Sequence, residues 1–354
     1  ARTLIDALHA PGQLTPRRAD VQKTFDPQRS LDAYEALLSG MIAEPLPQPA
    51  TKWVQGLHSA NGSKPWLSLT AHDHGLLDRL LANEADMAFR RRARILMDYL
   101  ELRDGERVID IGCGMGFYLM LMSRIRNIRP FGVDRQRVRL QRAQHEVPVA
   151  RVVEADIRAL PLAPGAFDKA LLSEVLEHLT DDREALRAIH RLLRPGGLLA
   201  LSVPHARYPF WWDPINRTWS GVGGQPIRQG PIVGIWTDHE RLYLPEELTD
   251  RLEEAGFEVE AVDEATHYCF PFMHFLVYGI GKPLLERELL PRPLAKSADR
   301  FSSEQNSGNY LNPINLGVAT FRAFDRANET PQIAEKHTFV NVLVKARKPV
   351  DARK

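Results

Sequence analysis

The stretch "VIDIGCGMG", residues 108–116, decides how this chain is read. Val108, Ile109 and Ile111 flank Asp110 in a short strand pattern, and glycines follow at 112, 114 and 116. An apolar helix pattern, "FYLMLMSRIR" (117–126), comes directly after. A strand, a glycine turn and a helix in that order begin an open parallel sheet. Glycines there let the backbone turn sharply and approach a ligand, and the helix start can hold an anionic group. In such sheets ligands bind at the carboxyl ends of the strands, beside the switch point. The spacing is G-x-G-x-G. The dinucleotide fingerprint G-x-G-x-x-G fails here, because its third glycine falls on Phe117.

The same rhythm continues outward. Strand patterns recur at "PFGVD" (130–134), "ARVVEAD" (150–156), "FDKALLS" (167–173), "LLALSVP" (198–204), "FEVEAV" (257–262) and "HTFVNVLVKAR" (337–347). Helix patterns fall between them at "RQRVRLQRAQHE" (135–146), "DDREALRAIHRLL" (181–193) and "PEELTDRLEEAG" (245–256), the last with Pro in its first turn and Gly at its stop. "RPGG" (194–197) reads as a turn. Upstream, "SLDAYEALLSGMI" (30–42) and "GLLDRLLANEADMAFRRRARILMDYLEL" (75–102) carry apolar residues at helical spacing. Strands alternating with helices predict an α/β fold with a Rossmann-like doubly wound sheet. The expected organisation is an N-terminal extension or helical cap over 1–84 and a core over 85–204. An aromatic-rich cap loop over 205–244, a core helix and strand over 245–262, an apolar helical lid over 263–336, and a last strand and tail over 337–354 follow. Structureless loops as long as the two cap segments are rare and usually carry function.

Composition excludes several classes. The chain has 354 residues, 44% of them hydrophobic, and a net charge of +1. No bulk field recruits nucleic acid or anionic lipid. The local basic runs "RRRAR" (90–94) and "RQRVRLQR" (135–142) read as solvated helix faces. Two cysteines, Cys113 and Cys269, make no disulfide framework and suit a reducing compartment. The first residues, "ARTLIDALHAPGQLTPRRAD", do not have the pattern of a signal peptide. The longest apolar stretch, "CFPFMHFLVYGIG" (269–281), falls short of the roughly 20 residues that span a bilayer. A cytoplasmic protein is expected, with 269–281 as a buried lid helix, a peripheral membrane contact or a homodimer patch.

"SEVLEHL" (173–179) carries the remaining chemistry. On a helix, Glu174, Glu177 and His178 would share one face. Carboxylate oxygens with an imidazole suit Mg²⁺, Mn²⁺ or similar ions, and His239 in "WTDHERLYL" (236–244) is a candidate fourth ligand. His205, after Pro204 at a strand end, is a candidate base or a hydrogen-bonded loop histidine. "YPFWWDPINRTW" (208–219) clusters aromatics that can stack on a planar acceptor or pack a small core.

With these features in order, the chain resembles the class I S-adenosylmethionine (SAM)-dependent methyltransferases over residues 85–262 and the last strand. The resemblance rests on "VIDIGCGMG", Asp134 ending the second strand, Asp156-Ile157 after the third, "LLSEVLEHL", "LLRPGGLLALSVP" and "DHERLYLPEELTDRLEEAGFEVEAV". It implies a seven-stranded sheet in the order 3-2-1-4-5-7-6. It implies SAM held by Asp110, Gly112, Cys113, Gly114, Gly116, Asp134, Arg135, Asp156, Ile157, Ser173 and Glu174. Asp134 would take the ribose hydroxyls, and Asp156-Ile157 would meet the adenine. Glu174, His178, His205 and His239 are the candidate catalytic residues. Glu174, Glu177, His178 and His239 form a candidate metal set, similar to those of ubiquinone-pathway O-methyltransferases and small-RNA terminal 2′-O-methyltransferases. The implied activity is methyl transfer to a hydroxyl or carbon of a small apolar, aromatic or lipid-like acceptor. The alternatives are metal-assisted O-methylation of an RNA or polysaccharide end, and SAM binding without methylation. The net charge weighs against nucleic acid.

Overall fold

The computed structural model describes residues 68–350, apart from 229–233, 288, 306–308 and 310. The helix pattern at 30–42, and most of the 1–84 extension, lie outside the described residues.

Seven strands form one sheet: β1 (Arg107–Ile111), β2 (Arg129–Asp134), β3 (Arg151–Glu154), β4 (Phe167–Ser173), β5 (Leu193–Pro204), β6 (Glu258–Ala265) and β7 (Asn341–Arg347). Their order is β3-β2-β1-β4-β5-β7-β6, as the resemblance implies. β7 runs antiparallel between β5 and β6, and the other pairs are parallel. Every residue of β1 is buried, and β4 is buried up to Ser173. Strands covered on both faces read as continuous apolar runs, which is why they stand out in the sequence. β5 runs through "RPGG" instead of stopping there, with a register shift where it pairs β4.

Helices α1 (Ala71–Leu80) and α2 (Met87–Tyr99) precede β1. Asp86 separates them by capping α2, its Oδ1 accepting from the Ala88 and Phe89 amides. α3 (Phe117–Ile125), α4 (Arg137–Glu146) and α5 (Asp182–Leu192) follow β1, β2 and β4, and α7 (Pro245–Glu254) precedes β6. The segment after β5 contains α6 (Pro214–Gly221), capped by Asp213. The segment between β6 and β7 contains a π-helix (Phe275–Gly281), α8 (Lys282–Glu286), α9 (Arg292–Ala298) and α10 (Pro313–Asp325). It docks on the α1–α2 corner. Arg91 pairs with Asp325 at 2.7 Å, Arg300 with Glu84 at 3.0 Å, and Asn83 donates to the Asp299 carbonyl at 2.8 Å. No described helix is long and apolar enough to cross a membrane.

The run 90–94 is therefore not a solvated face. Arg92 is buried, and Arg90 and Arg91 are committed to Asp78 and Asp325. The run 135–142 is exposed except at Leu140.

Candidate active site

The loop after β1 is shaped by two different demands. Gly112 has φ 79°, and a Cβ there would stand 2.3 Å from Val175 Cγ2 in the turn after β4. Only glycine fits beneath that turn. Gly114 has φ 52°, and apart from its chain neighbours no atom of the described residues lies within 4 Å of where a Cβ would stand. The Gly114 amide donates to Asp134 Oδ2 at 3.0 Å, and the Gln136 amide donates to Oδ1 at 2.8 Å. The carboxylate at the end of β2 is thus tied to the loop.

Asp110 is buried, and its Oδ2 has no hydrogen-bond partner among the described residues. Burial, with Asp134 nearby, pushes its pKa up to about 8. Cys113 is buried against Gly132, and burial raises its thiol pKa, so it packs as an inert group. Asp156 caps a short turn and pairs with Arg158 at 2.7 Å, which draws its pKa down to about 2. Ile157 is buried beside it and Arg135 is exposed.

The segment 173–179 does not form the expected helix. β4 ends at Ser173, Glu174 adopts φ 55°, and Leu176–His178 make a single 3₁₀ turn before α5. A left-handed non-glycine residue costs about 1 kcal/mol and persists where its side chain is held. The Glu174 carboxylate accepts from Ser202 Oγ at 3.0 Å and from Asn341 Nδ2 at 3.3 Å, and pairs with Arg92 at 3.5 Å. Ser173 Oγ donates to the Tyr118 hydroxyl at 3.2 Å. The reversal at Glu174 turns its side chain toward these partners, and the cluster of Glu177, His178 and His239 forms without it.

Those three converge. Glu177 has zero exposure, and neither of its carboxylate oxygens has a hydrogen-bond partner among the described residues. His178 Nε2 and His239 Nε2 each lie 3.8 Å from Glu177 Oε1. The two imidazole rings meet edge to face at 4.7 Å. His178 Nδ1 lies 2.9 Å from the Asp238 carbonyl, which can only accept, so the tautomer with Nδ1–H donating there presents the Nε2 lone pair. The Glu240 amide donates to the Glu177 carbonyl at 2.8 Å and brings the 236–240 segment to the turn. One ligand atom from each of the three side chains lies within 4.8 Å of the others. Burial, then Glu174, raises the Glu177 pKa well above its usual value. Burial, then His178, lowers that of His239 to about 3.

His205 is buried with both ring nitrogens engaged, Nε2 with Glu264 at 2.6 Å and Nδ1 by the Arg207 amide at 2.7 Å. Of the two readings of His205, base or hydrogen-bonded loop histidine, these contacts are those of the second. The aromatic cluster divides. Tyr208 and Trp212 are buried beside Met87 and Met273, while Phe210, Trp211 and Trp219 remain about half exposed.

A family described as "Methyltransferase domain" matches residues 109–201. A "Ubiquinone biosynthesis O-methyltransferase" of Pseudomonas aeruginosa is 32% identical over 168 residues, 46% of this chain and 69% of the relative. The chain belongs to the class I SAM-dependent methyltransferase superfamily. A second relative in the superfamily, "27-O-demethylrifamycin SV methyltransferase" of Amycolatopsis mediterranei, is 28% identical over 208 residues, 56% of this chain and 70% of the relative. The chain spans between 39% and 70% of the length of the curated relatives it matches. A solved SAM-dependent methyltransferase from Archaeoglobus fulgidus is 18% identical, covering 78% of this chain and 99% of that one, with a TM-score of 0.44.

Arg92, Tyr118 and Asn341 went unread as partners of the turn after β4. Arg92 sits in a run that looks exposed, Asn341 reaches Glu174 only through the sheet register, and Tyr118 lies in an apolar stretch.

Proposed function

We propose that this chain transfers the SAM methyl group to a hydroxyl of a small apolar or aromatic acceptor, the carbon alternative being one that also needs a base. The observation that carries the reading is adjacency. The turn that Gly112 touches through Val175 leads within three residues to Glu177 and His178. Acid–base groups thus stand beside the SAM loop, which an amine acceptor would not need and a hydroxyl acceptor does. The unpaired Asp110 oxygen and the open space at Gly114 support a close-lying ligand that offers the loop a hydrogen bond. Two relatives whose printed names specify O-methyl transfer support the hydroxyl.

The reaction is an in-line displacement. The acceptor oxygen forms a bond to the methyl carbon as the carbon–sulfur bond breaks. The electron pair stays on sulfur, giving S-adenosylhomocysteine, and the hydroxyl proton leaves to a base. Alignment and exclusion of water supply much of the rate. The exposed aromatics Phe210, Trp211 and Phe272, with Leu276 and Ile280, give an apolar acceptor a rim to approach, and support contact with a lipid surface. The test is transfer of labelled methyl from SAM to catechols and quinols of graded side-chain length, beside calorimetry of SAM binding. SAM binding without transfer to any of them overturns the enzymatic reading and leaves a SAM-binding protein.

A divalent ion is the second part of the proposal, supported by the buried, unpaired Glu177 carboxylate facing two imidazole nitrogens. One carboxylate and two imidazoles suit Mn²⁺ or Zn²⁺ better than Mg²⁺, which prefers oxygen ligands. Glu177, His178 and His239 would hold it, and it would polarise an acceptor oxygen. Metal content after purification, and transfer after chelation and re-addition, test this. Full activity in chelator removes the ion from the reading.

A further inference from the structure

Two chain segments carry the Glu177, His178 and His239 cluster, and one carboxylate joins them just beyond it. Asp182 opens α5, four residues after His178, and is buried. Its Oδ2 accepts from Arg241 Nη1 at 2.9 Å and from the Tyr243 hydroxyl at 2.8 Å. Its Oδ1 accepts from Arg251 Nη1 on α7 at 2.7 Å. Arg241 and Tyr243 follow His239 by two and four residues. Arg241 Nη2 also donates to the Thr180 carbonyl at 2.9 Å, so its planar fork grips the chain just before α5 at two points. The Tyr243 amide donates to the Pro204 carbonyl at 3.1 Å, which fixes the far end of the His239 segment to β5.

Closer to His239 the attachments are weaker. Asp238 and Glu240 are exposed residues. They reach the turn through two neutral hydrogen bonds, from His178 Nδ1 to the Asp238 carbonyl and from the Glu240 amide to the Glu177 carbonyl. Water competes with such bonds at a surface. Asp238 also adopts φ 56°, a left-handed conformation that persists where the surroundings hold it. Charged hydrogen bonds to a buried carboxylate are the strong ones, and Asp182 provides them on the C-terminal side of His239.

We propose that Asp182 is a positioning residue of this site, which holds His239 opposite Glu177 through Arg241 and Tyr243. This rests on the metal reading above. Asp182 belongs to no ligand set and touches no reacting group. It acts by fixing the 236–243 segment against the turn after β4. Metal–ligand bonds of about 2 Å tolerate errors of only about 0.2 Å, so a small drift of that segment costs metal affinity before it costs the fold.

The test uses Co²⁺ as the probe, because its visible absorption reports the number and arrangement of its ligands. The whole chain is stripped with chelator, dialysed and titrated. Wild type is expected to bind Co²⁺ with a visible band. Asp182→Asn is expected to weaken Co²⁺ binding about tenfold or more and to alter the band. Tyr243→Phe deletes one hydroxyl, is expected to act in the same direction, and stands in should Asp182→Asn fail to fold. Asp168→Asn is the comparison. Asp168 is also buried and bonded to an arginine and a backbone amide, but it stands at the start of β4, away from the cluster. Its loss is expected to lower the melting temperature and to leave Co²⁺ affinity and band as in wild type. Wild-type affinity and band in Asp182→Asn, or in Tyr243→Phe where that variant stands in, overturns the assignment. So does an equal loss of affinity in Asp168→Asn, which would make metal binding follow overall stability. A wild-type protein that binds no Co²⁺ fails earlier, at the metal reading, and takes the assignment with it.

Discussion

His239 Nε2 and Glu177 Oε1 stand 3.8 Å apart, with the carboxylate fully buried and without a hydrogen-bond partner among the described residues. An isolated buried charge is costly, so Glu177 either holds a proton or faces a cation. Glu177→Gln keeps the shape and removes the charge. It is expected to abolish bound divalent metal while the metal-free protein melts within about 1 kcal/mol of wild type, since no pair is broken. Metal analysis and thermal melting of both proteins check this. Wild-type metal content in the variant would remove Glu177 from the site.

The metal-free protein is expected to lose stability on acidification. The fold holds His239 at about 3 against the usual histidine value of 6.5. Between these values the unfolded chain binds a proton that the native state refuses, so stability falls as pH drops from 6.5 toward 3. His205 and His274 are lowered too and act in the same direction. Glu177, raised above its usual 4.5, acts oppositely and loses stability as pH rises from there. Melting temperatures across this range in wild type and His239→Gln separate the contributions, and the variant is expected to show the shallower acid limb.

Arg92 and Glu174 join α2 to the end of β4. Arg92→Met strands the Glu174 carboxylate between Ser202 and Asn341. Loss of one partner of a buried pair costs 3–5 kcal/mol. The Glu174 side chain is 25% exposed, so about 2 kcal/mol is expected here. Arg92→Met with Glu174→Gln is expected to recover part of that cost, a coupling that a double-mutant cycle measures by denaturant unfolding. Additive single effects would show that the two side chains do not act as a pair.

The sheet was legible because each central strand is buried on both faces and each helix follows a 3.6-residue pattern, both local signals. The glycine loop was legible for the same reason. The direction of Glu174 was not. One left-handed residue turns it from the Glu177 side to Arg92, and no periodicity encodes that reversal. Arg92 was hidden in a basic run whose burial depends on α2 facing β5 and β7, contacts distant in sequence.

Gly112 and Gly114 share a loop and should fail differently. Alanine at either position adopts a left-handed conformation at about 1 kcal/mol. At Gly112 the new methyl also meets Val175 Cγ2 at 2.3 Å, and overpacking of this kind adds about 1–3 kcal/mol. Gly112→Ala should therefore lower stability first and SAM binding as a consequence. At Gly114 no atom of the described residues beyond its chain neighbours stands within 4 Å, so Gly114→Ala should melt close to wild type. Its methyl projects into the open space where the ligand would lie, and a loss of about tenfold or more in SAM affinity is expected, roughly 1.4 kcal/mol. Melting temperatures and SAM calorimetry on the two variants separate packing from contact. Wild-type SAM affinity in Gly114→Ala would show that the open face of the loop is not where SAM binds.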